Sequence, residues 1–290
     1  MNDGRTEPRG RPLSAPGRVK EVTSVSNPIV KGIRNLAMRK TRDETGLFMA
    51  EGLKLVFDAL EAGWKIDTLI VSRNQLADSP HLTRAAARTV AAGADVLEAS
   101  DKVLAAISRR DNPQPAIGIF RQHLAELPSL DLGKDGLVVA LDRVRDPGNL
   151  GTILRTADAA GVKGVVLIGD TVDPFSLEAV RATMGSIFSV PVARMGEAAF
   201  LKWRGGFKGL VAGTHMAGTV DYRKPDYAAR PSVLLMGNEQ AGLSEALAAA
   251  CDVLVRIPQV GKADSLNLAI ATGLMIFEAR RPLLTLGSDG

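Results

Sequence analysis

Three stretches of the chain place polar side chains where a loop opens a helix. In LDRVRDPGNLGTILRTADAAG, Asp146-Pro147-Gly148-Asn149 makes a turn, Asn149 can cap the helix that follows, and that helix contains Arg155. In LLMGNEQAGLSEAL, Asn238 and Glu239 come straight after an apolar run, with Gly237 and Gly242 permitting close backbone approach. In IPQVGKADSLNLAIATG, Ser265, Leu266 and Asn267 stand between the Ile257-Pro258 loop and an apolar helix. Each has a purely structural explanation. Asn149 and Ser265 are good N-caps, Arg155 shares a helix face with Thr152 and Asp158 and can pair with the latter, and Glu239 suits the N-terminal amides of the next helix. The alternative is that these residues face a bound molecule, and the chemistry open to amides, a hydroxyl, a carboxylate and a guanidinium is the orientation of polar or anionic groups. Metal chemistry is not expected: Cys251 is the only cysteine, and His81, His123 and His215 lack ligand spacing.

The elements that must hold these residues alternate between strand and helix patterns. Residues 1–24 mix Arg, Pro, Gly and Ser without apolar periodicity and read as a flexible basic tail. Ser26-Asn27-Pro28 opens a helix carrying Lys31, Arg34, Arg39 and Lys40, with Arg42 just beyond. GLFMAE, GLKLVFDALEAG, KIDTLIVS, ADVLEA and AIGIF complete a small α/β or α+β unit over 25–122. Pro, Gly and scattered charge at 123–136 mark a linker.

A second alternation over 137–290 has short apolar runs (LVVALD, GVVLIG, VPVARM, FKGLVAG, SVLLMG, CDVLVRIP) separated by helices, which implies a parallel sheet covered on both faces. Ligands of such sheets sit beyond the carboxyl ends of the strands, so function is expected in the loops after Asp142, Gly213, Gly237 and Pro258. The last helix, from Ser265, is apolar on nearly every side and is expected to be buried all round. LDRVRDPGNLG lacks the G-x-G-x-x-G spacing of dinucleotide-type loops.

A formal charge of +4 and a pI near 9.3 favour an anionic partner. No apolar run is long enough to suggest a membrane span, and no apolar segment suits secretion, so a cytoplasmic location is expected.

Taken together and in this order, the three stretches resemble the motifs of the SpoU (TrmH-like) family of SPOUT RNA methyltransferases, over about 137–282. FMAEGLKLVFDALEAG resembles the L30e-like substrate-binding domain that precedes the catalytic domain in many rRNA ribose methyltransferases of that family. The resemblance implies an α/β fold: a C-terminal parallel-sheet SPOUT domain with a deep trefoil knot, plus a smaller N-terminal L30e-like α/β domain. It implies S-adenosylmethionine held by the knot loops, with Gly237, Ile257 and Leu266 near its adenosyl part, Thr214 near its methionine part, and Leu235 also among the cofactor-binding residues.

The resemblance also implies methyl transfer to a ribose 2'-hydroxyl, the group that distinguishes RNA from DNA. Asn149 and Asn267 would orient that hydroxyl, Glu239 would brace the site, and Ser265 would hold the third stretch. The family's arginine, here Arg155, has been assigned as a base, but a guanidinium is a very poor proton acceptor and its fork suits a phosphate clamp. Lys31, Arg34, Arg39, Lys40, Arg42, Arg143 and Arg145 would track RNA phosphates. Large-subunit (23S-type) rRNA is the first expected substrate and tRNA the second. Homodimers with active sites against the subunit interface are expected, and the alternative from another class is a non-catalytic RNA-binding or ribosome-assembly protein.

Overall fold

The computed structural model describes residues 16–286, and the strands among them form two sheets. The first contains β1 (Val19–Val22), β2 (Leu47–Glu51), β3 (Ile66–Ser72), β4 (Asp95–Ala99) and β5 (Ala116–Arg121), in the order β1-β4-β3-β5-β2. Its β1, β4 and β3 run parallel, and β5 runs antiparallel to both neighbours. The second contains β6 (Leu137–Asp142), β7 (Gly164–Ile168), β8 (Val192–Met195), β9 (Leu210–Thr214), β10 (Val220–Asp221), β11 (Ser232–Met236) and β12 (Val253–Arg256). Its order is β10-β12-β9-β11-β6-β7-β8, and every pairing is parallel. The parallel sheet expected from the uninterrupted apolar runs is present. Alternate residues serve two cores: Val139 and Leu141 of β6 pack beneath helix Pro147–Ala159, while Val138 and Ala140 pack toward Phe200 and Leu247.

β6 and β11 lie side by side, but the chain leaves β6 for β7 and β8 on one flank and later builds β9, β11 and β12 on the other. That reversal opens a crevice at the carboxyl ends of the central strands, where ligands of such sheets bind. The chain leaves β12 beyond β9 and returns to pack its last helix, Leu268–Arg280, on Pro147–Ala159 and β11.

Several sequence expectations need correction. The basic tail is not unstructured up to residue 24, because Val19–Val22 adds an edge strand against β4; residues 1–15 lie outside the described residues, as do 287–290 at the other end. Lys31 and Arg34 do not share a helix with Arg39 and Lys40. Pro28–Asn35 ends before Met38, whose extended backbone starts a second helix, Arg39–Thr45. Arg42 fixes this break by donating from Nη1 to Leu36 O (2.7 Å) and Ala37 O (3.0 Å). The segment 123–136 lies on the second sheet: Ala125 bridges to Ala193, and Leu127 is buried beside Phe200.

The two halves of the chain share a core. Phe48, Trp64 and Phe120 from the first pack with Phe175 and Phe188 from the second half of the chain, with Phe48–Phe175 centroids 4.8 Å apart and Trp64–Phe188 centroids 5.3 Å apart. Two ion pairs, one buried and one part-buried, cross the same boundary in opposite senses. Arg42 reaches Asp173 Oδ2 through Nε (2.8 Å) and Nη2 (2.6 Å), and Arg181 grips Glu51. Arg42 is 3% exposed, so it is a structural ion-pair residue and not the phosphate contact expected of it.

Arg42→Ala would strand Asp173 in a dry interface, and a loss of about 3–5 kcal/mol in denaturant unfolding is expected. Arg39→Ala and Lys40→Ala, which break only exposed pairs to Asp43 and Glu44, are expected to cost less than about 0.5 kcal/mol.

Candidate active site

A cavity of about 670 Å³ opens at the carboxyl ends of β9, β11 and β12. Its walls come from three loops: Thr214–Met216, Met236–Gly242, and the stretch from Val255 to Leu268. These are three of the four loops named by the strand pattern, and the fourth, after Asp142, joins them through hydrogen bonds. Gly237 shapes the middle wall, since a Cβ there would lie 2.5 Å from the backbone of Gly242 and Leu243. The resulting turn is closed by paired Asn238 and Gly242 backbone bonds of 3.0 Å. Behind it, burial pushes the Cys251 thiol up to about 12, leaving a neutral packing group against Gly213.

The loop after Asp142 is held in an unusual conformation. Arg143 has φ +48°, in the left-handed region that side chains avoid, and a fork to buried Asp142 secures it (Nε–Oδ1 2.8 Å, Nη2–Oδ2 2.8 Å). The same carboxylate raises the pKa of Arg143 above the usual guanidinium value. Arg143 Nη2 also reaches Gly242 O at 3.3 Å, and Asn238 Nδ2 donates to Arg143 O at 2.8 Å, so the first loop is tied to the second. Arg143 therefore ties the loops together through Nε and Nη2, with 35% of its side chain exposed. Arg145 remains exposed, paired with Asp170 at 2.9 Å.

Asp146, not Asn149, caps helix Pro147–Ala159: its Oδ1 accepts from Asn149 N at 2.6 Å. Asn267, not Ser265, caps the last helix, accepting from Ala269 N (2.9 Å) and Ile270 N (3.2 Å). Both asparagine side chains are thereby available to each other. Asn267 Nδ2 donates to Asn149 Oδ1 at 2.9 Å, and Asn149 Nδ2 donates to Glu239 Oε1 at 3.2 Å. One residue from each of the three sequence stretches meets at the mouth of the cavity.

Other predicted residues fall into distinct places. Thr214, Gly237, Ile257, Ser265 and Leu266 line the cavity. Leu235 does not: it is fully buried on the opposite face of β11, against Val211 and Leu247, because alternate strand residues point to opposite sides. Arg155 is exposed on Pro147–Ala159, lies outside the cavity lining, and has no ion-pair partner among the described residues, so the pairing with Asp158 is not formed. Lys31, Arg34, Arg39 and Lys40 are exposed. Sequence reasoning missed His215, Met216, Gln240, Arg256 and Gln259, all in the cavity wall. Their only signal is adjacency to the motif residues in the same loops.

The last helix is not buried all round. Leu268, Ala269, Thr272, Met275, Ile276 and Ala279 face inward, while Ile270, Leu274 and Phe277 form an exposed stripe along one side.

Residues 136–277 match the family model for the SpoU rRNA Methylase family, and residues 27–118 match the MRM3-like substrate binding domain. The chain is 32% identical to a 23S rRNA (uridine(2479)-2'-O)-methyltransferase of Streptomyces viridochromogenes, over 85% of this chain and 86% of that one. It is 30% identical to the 23S rRNA (guanosine(2553)-2'-O)-methyltransferase of Bacillus subtilis, over 90% and 100%. A crystal structure of an AdoMet-bound rRNA methyltransferase from Sinorhizobium meliloti superposes with a TM-score of 0.87 at 58% identity, covering 92% of this chain and 99% of that one.

Asn267 both caps a helix and fixes the amide of Asn149, and two variants separate these tasks. Asn267→Ala is expected to cost about 1 kcal/mol of stability through the lost cap. Asn267→Asp restores the cap but has no donor for Asn149 Oδ1, so melting recovers while the Asn149 side-chain amide signals in NMR stay shifted from wild type.

Proposed function

The chain belongs to the SpoU rRNA methylase family, and from that membership we infer that it is an S-adenosylmethionine-dependent enzyme that methylates a ribose 2'-hydroxyl in large-subunit rRNA. The observation that carries this reading is the meeting of Asn149, Glu239 and Asn267 at the mouth of a cavity whose wall is drawn in at Gly237. The cavity suits a nucleoside-sized ligand: it combines the apolar side chains of Met216, Ile257 and Leu266 with exposed backbone and a few polar groups. Gly237, Ile257 and Leu266 would hold the adenosyl part and Thr214 would border the methionine part. When bound, S-adenosylmethionine supplies a methyl group carried on a sulfonium ion.

The protein's contribution is then positioning. Asn149 and Asn267 hold the hydroxyl, Ser265 supports the loop before Asn267, and Arg155 clamps an RNA phosphate beside the cavity. Residues 25–122 carry the RNA-recognition surface, with Lys31, Arg34, Arg39 and Lys40 exposed for phosphates and Arg145 nearer the cavity. Contacts between the loops support a continuous path between the two. Val172 N donates to Val144 O at 2.8 Å, and Asp173 in that same loop grips Arg42 in the basic helix. The return of the chain from β12 across β9 and β11 is what a knotted passage would require, and we take it as support for one.

A second copy of the chain is the proposed cover for the Ile270, Leu274 and Phe277 stripe. Leu268 and Ala271 of the same helix line the cavity, so a dimer formed here would set the active site against the interface. Leu274→Asp with Phe277→Asp is expected to give a folded monomer by sedimentation. A dimer that survives the double change removes the proposal.

Arg155 tests the enzyme reading. Arg155→Ala should leave folding and S-adenosylmethionine affinity intact and lower single-turnover methyl transfer to 23S rRNA by about 10²-fold. Arg155→Lys should retain part of the rate, since an ammonium still attracts a phosphate as a point charge. Wild-type protein that binds neither S-adenosylmethionine nor rRNA would end this reading.

A further inference from the structure

Hydrogen bonding at the cavity mouth leaves a specific set of unused donors and acceptors. Asn267 Oδ1 accepts two backbone N–H groups of the last helix, and turning its amide over would set an NH2 against two donors. Its Nδ2 must therefore face Asn149, whose Oδ1 accepts at 2.9 Å. Asn149 is then fixed as well, with Nδ2 toward Glu239 Oε1 at 3.2 Å. Each amide nitrogen keeps one N–H free. Glu239 receives from Asn149, accepts long contacts of 3.5 Å from the backbone N–H groups of Arg145 and Asp146, and has on Oε2 only a 3.4 Å contact from Asn238. The mouth thus offers donors on the two asparagines beside an acceptor with spare lone pairs. A hydroxyl, which accepts and donates at once, fits that set.

Other groups near the cavity do not provide the acceptor. Arg155 and Arg256 have donors only. His215 Nδ1 accepts from Ala217 N at 3.1 Å, so the neutral ring carries its proton on Nε2 and presents no lone pair there. Asp146 caps the helix through Oδ1 at 2.6 Å and accepts from neither asparagine side-chain amide, whereas Glu239 does. Asp264 lines the cavity from an exposed loop and has no hydrogen bond to either asparagine.

We propose that Glu239 is the catalytic proton acceptor for the ribose 2'-hydroxyl, with the free N–H groups of Asn149 and Asn267 holding the hydroxyl oxygen. This deepens the methyltransferase reading and rests on it. As the oxygen forms its bond to the methyl carbon, the electron pair of the methyl–sulfur bond stays with sulfur and the hydroxyl proton passes to a Glu239 carboxylate oxygen. The proton then leaves to water, restoring the carboxylate. Arg155 takes no proton and keeps its charge for the phosphate.

The test is single-turnover methylation of rRNA by the full chain, with S-adenosylmethionine affinity by calorimetry and RNA affinity by filter binding measured alongside. Glu239→Gln keeps size and an oxygen for Asn149 but cannot hold the proton. It should lose at least about 10²-fold in rate while both affinities stay within about twofold of wild type. Glu239→Asp, with a carboxylate one methylene short, should fall between the two. A Gln variant within about threefold of the wild-type rate overturns the proposal. So does a rate loss matched by an equal loss of cofactor affinity, which would make Glu239 a brace of the cavity wall. Should the Gln variant fail to fold, the Asp variant decides: partial transfer supports the proposal, and none at wild-type affinities overturns it. Failure of the wild-type chain to methylate RNA would instead overturn the underlying reading.

Discussion

The site depends on one side chain that is used at both ends. Asn267 closes the first turn of the last helix with its oxygen and fixes Asn149 with its nitrogen. Neither bond is strong by itself, since a protein hydrogen bond contributes on the order of 1 kcal/mol net. Their value is directional. An amide can be turned over at little steric cost, and only a partner of known polarity decides which end is the donor. Backbone N–H groups of the helix set that polarity, and it is passed through Asn149 to Glu239.

The frame around this chain of bonds is rigid for separate reasons on its two sides. On the cavity side, the left-handed backbone at Arg143 persists because a buried carboxylate holds the guanidinium in a fork, and Arg143 O in turn receives Asn238. On the side of the first sheet, aromatic packing and two oppositely directed ion pairs bury the boundary. Ion pairs in such a setting gain little net stability, because desolvation offsets attraction, but a misaligned arrangement would leave charges unpaired. Relative orientation is what they specify.

Much of this was legible in the sequence. Uninterrupted apolar runs gave away the parallel sheet, and the loops at its carboxyl ends contain the cavity. The residue types at Asn149, Glu239 and Asn267 marked the site, but their wiring was hidden: any of several side chains in DPGN or DSLN can cap a helix, and spacing does not choose among them. Arg42 was misread because a basic residue in a charge-rich stretch looks like surface, while its carboxylate partner, Asp173, matters only once folding brings it near. Leu235 was misplaced by one step of strand alternation. The last helix misled by composition, since an apolar surface waiting for another chain and an apolar surface facing a core have the same residues.

The bond between Asn149 and Asn267 spans 118 residues, and Asn267 follows every strand of the second sheet in the chain. A growing chain can form much of the second sheet before that segment is available, and its Asn149 amide is then held at Glu239 alone. Contacts this distant also form late when a complete chain folds, because closing long loops is slow. The full run of bonds from Asn267 through Asn149 to Glu239 therefore waits on helix Leu268–Arg280, after the segments that carry the other two residues.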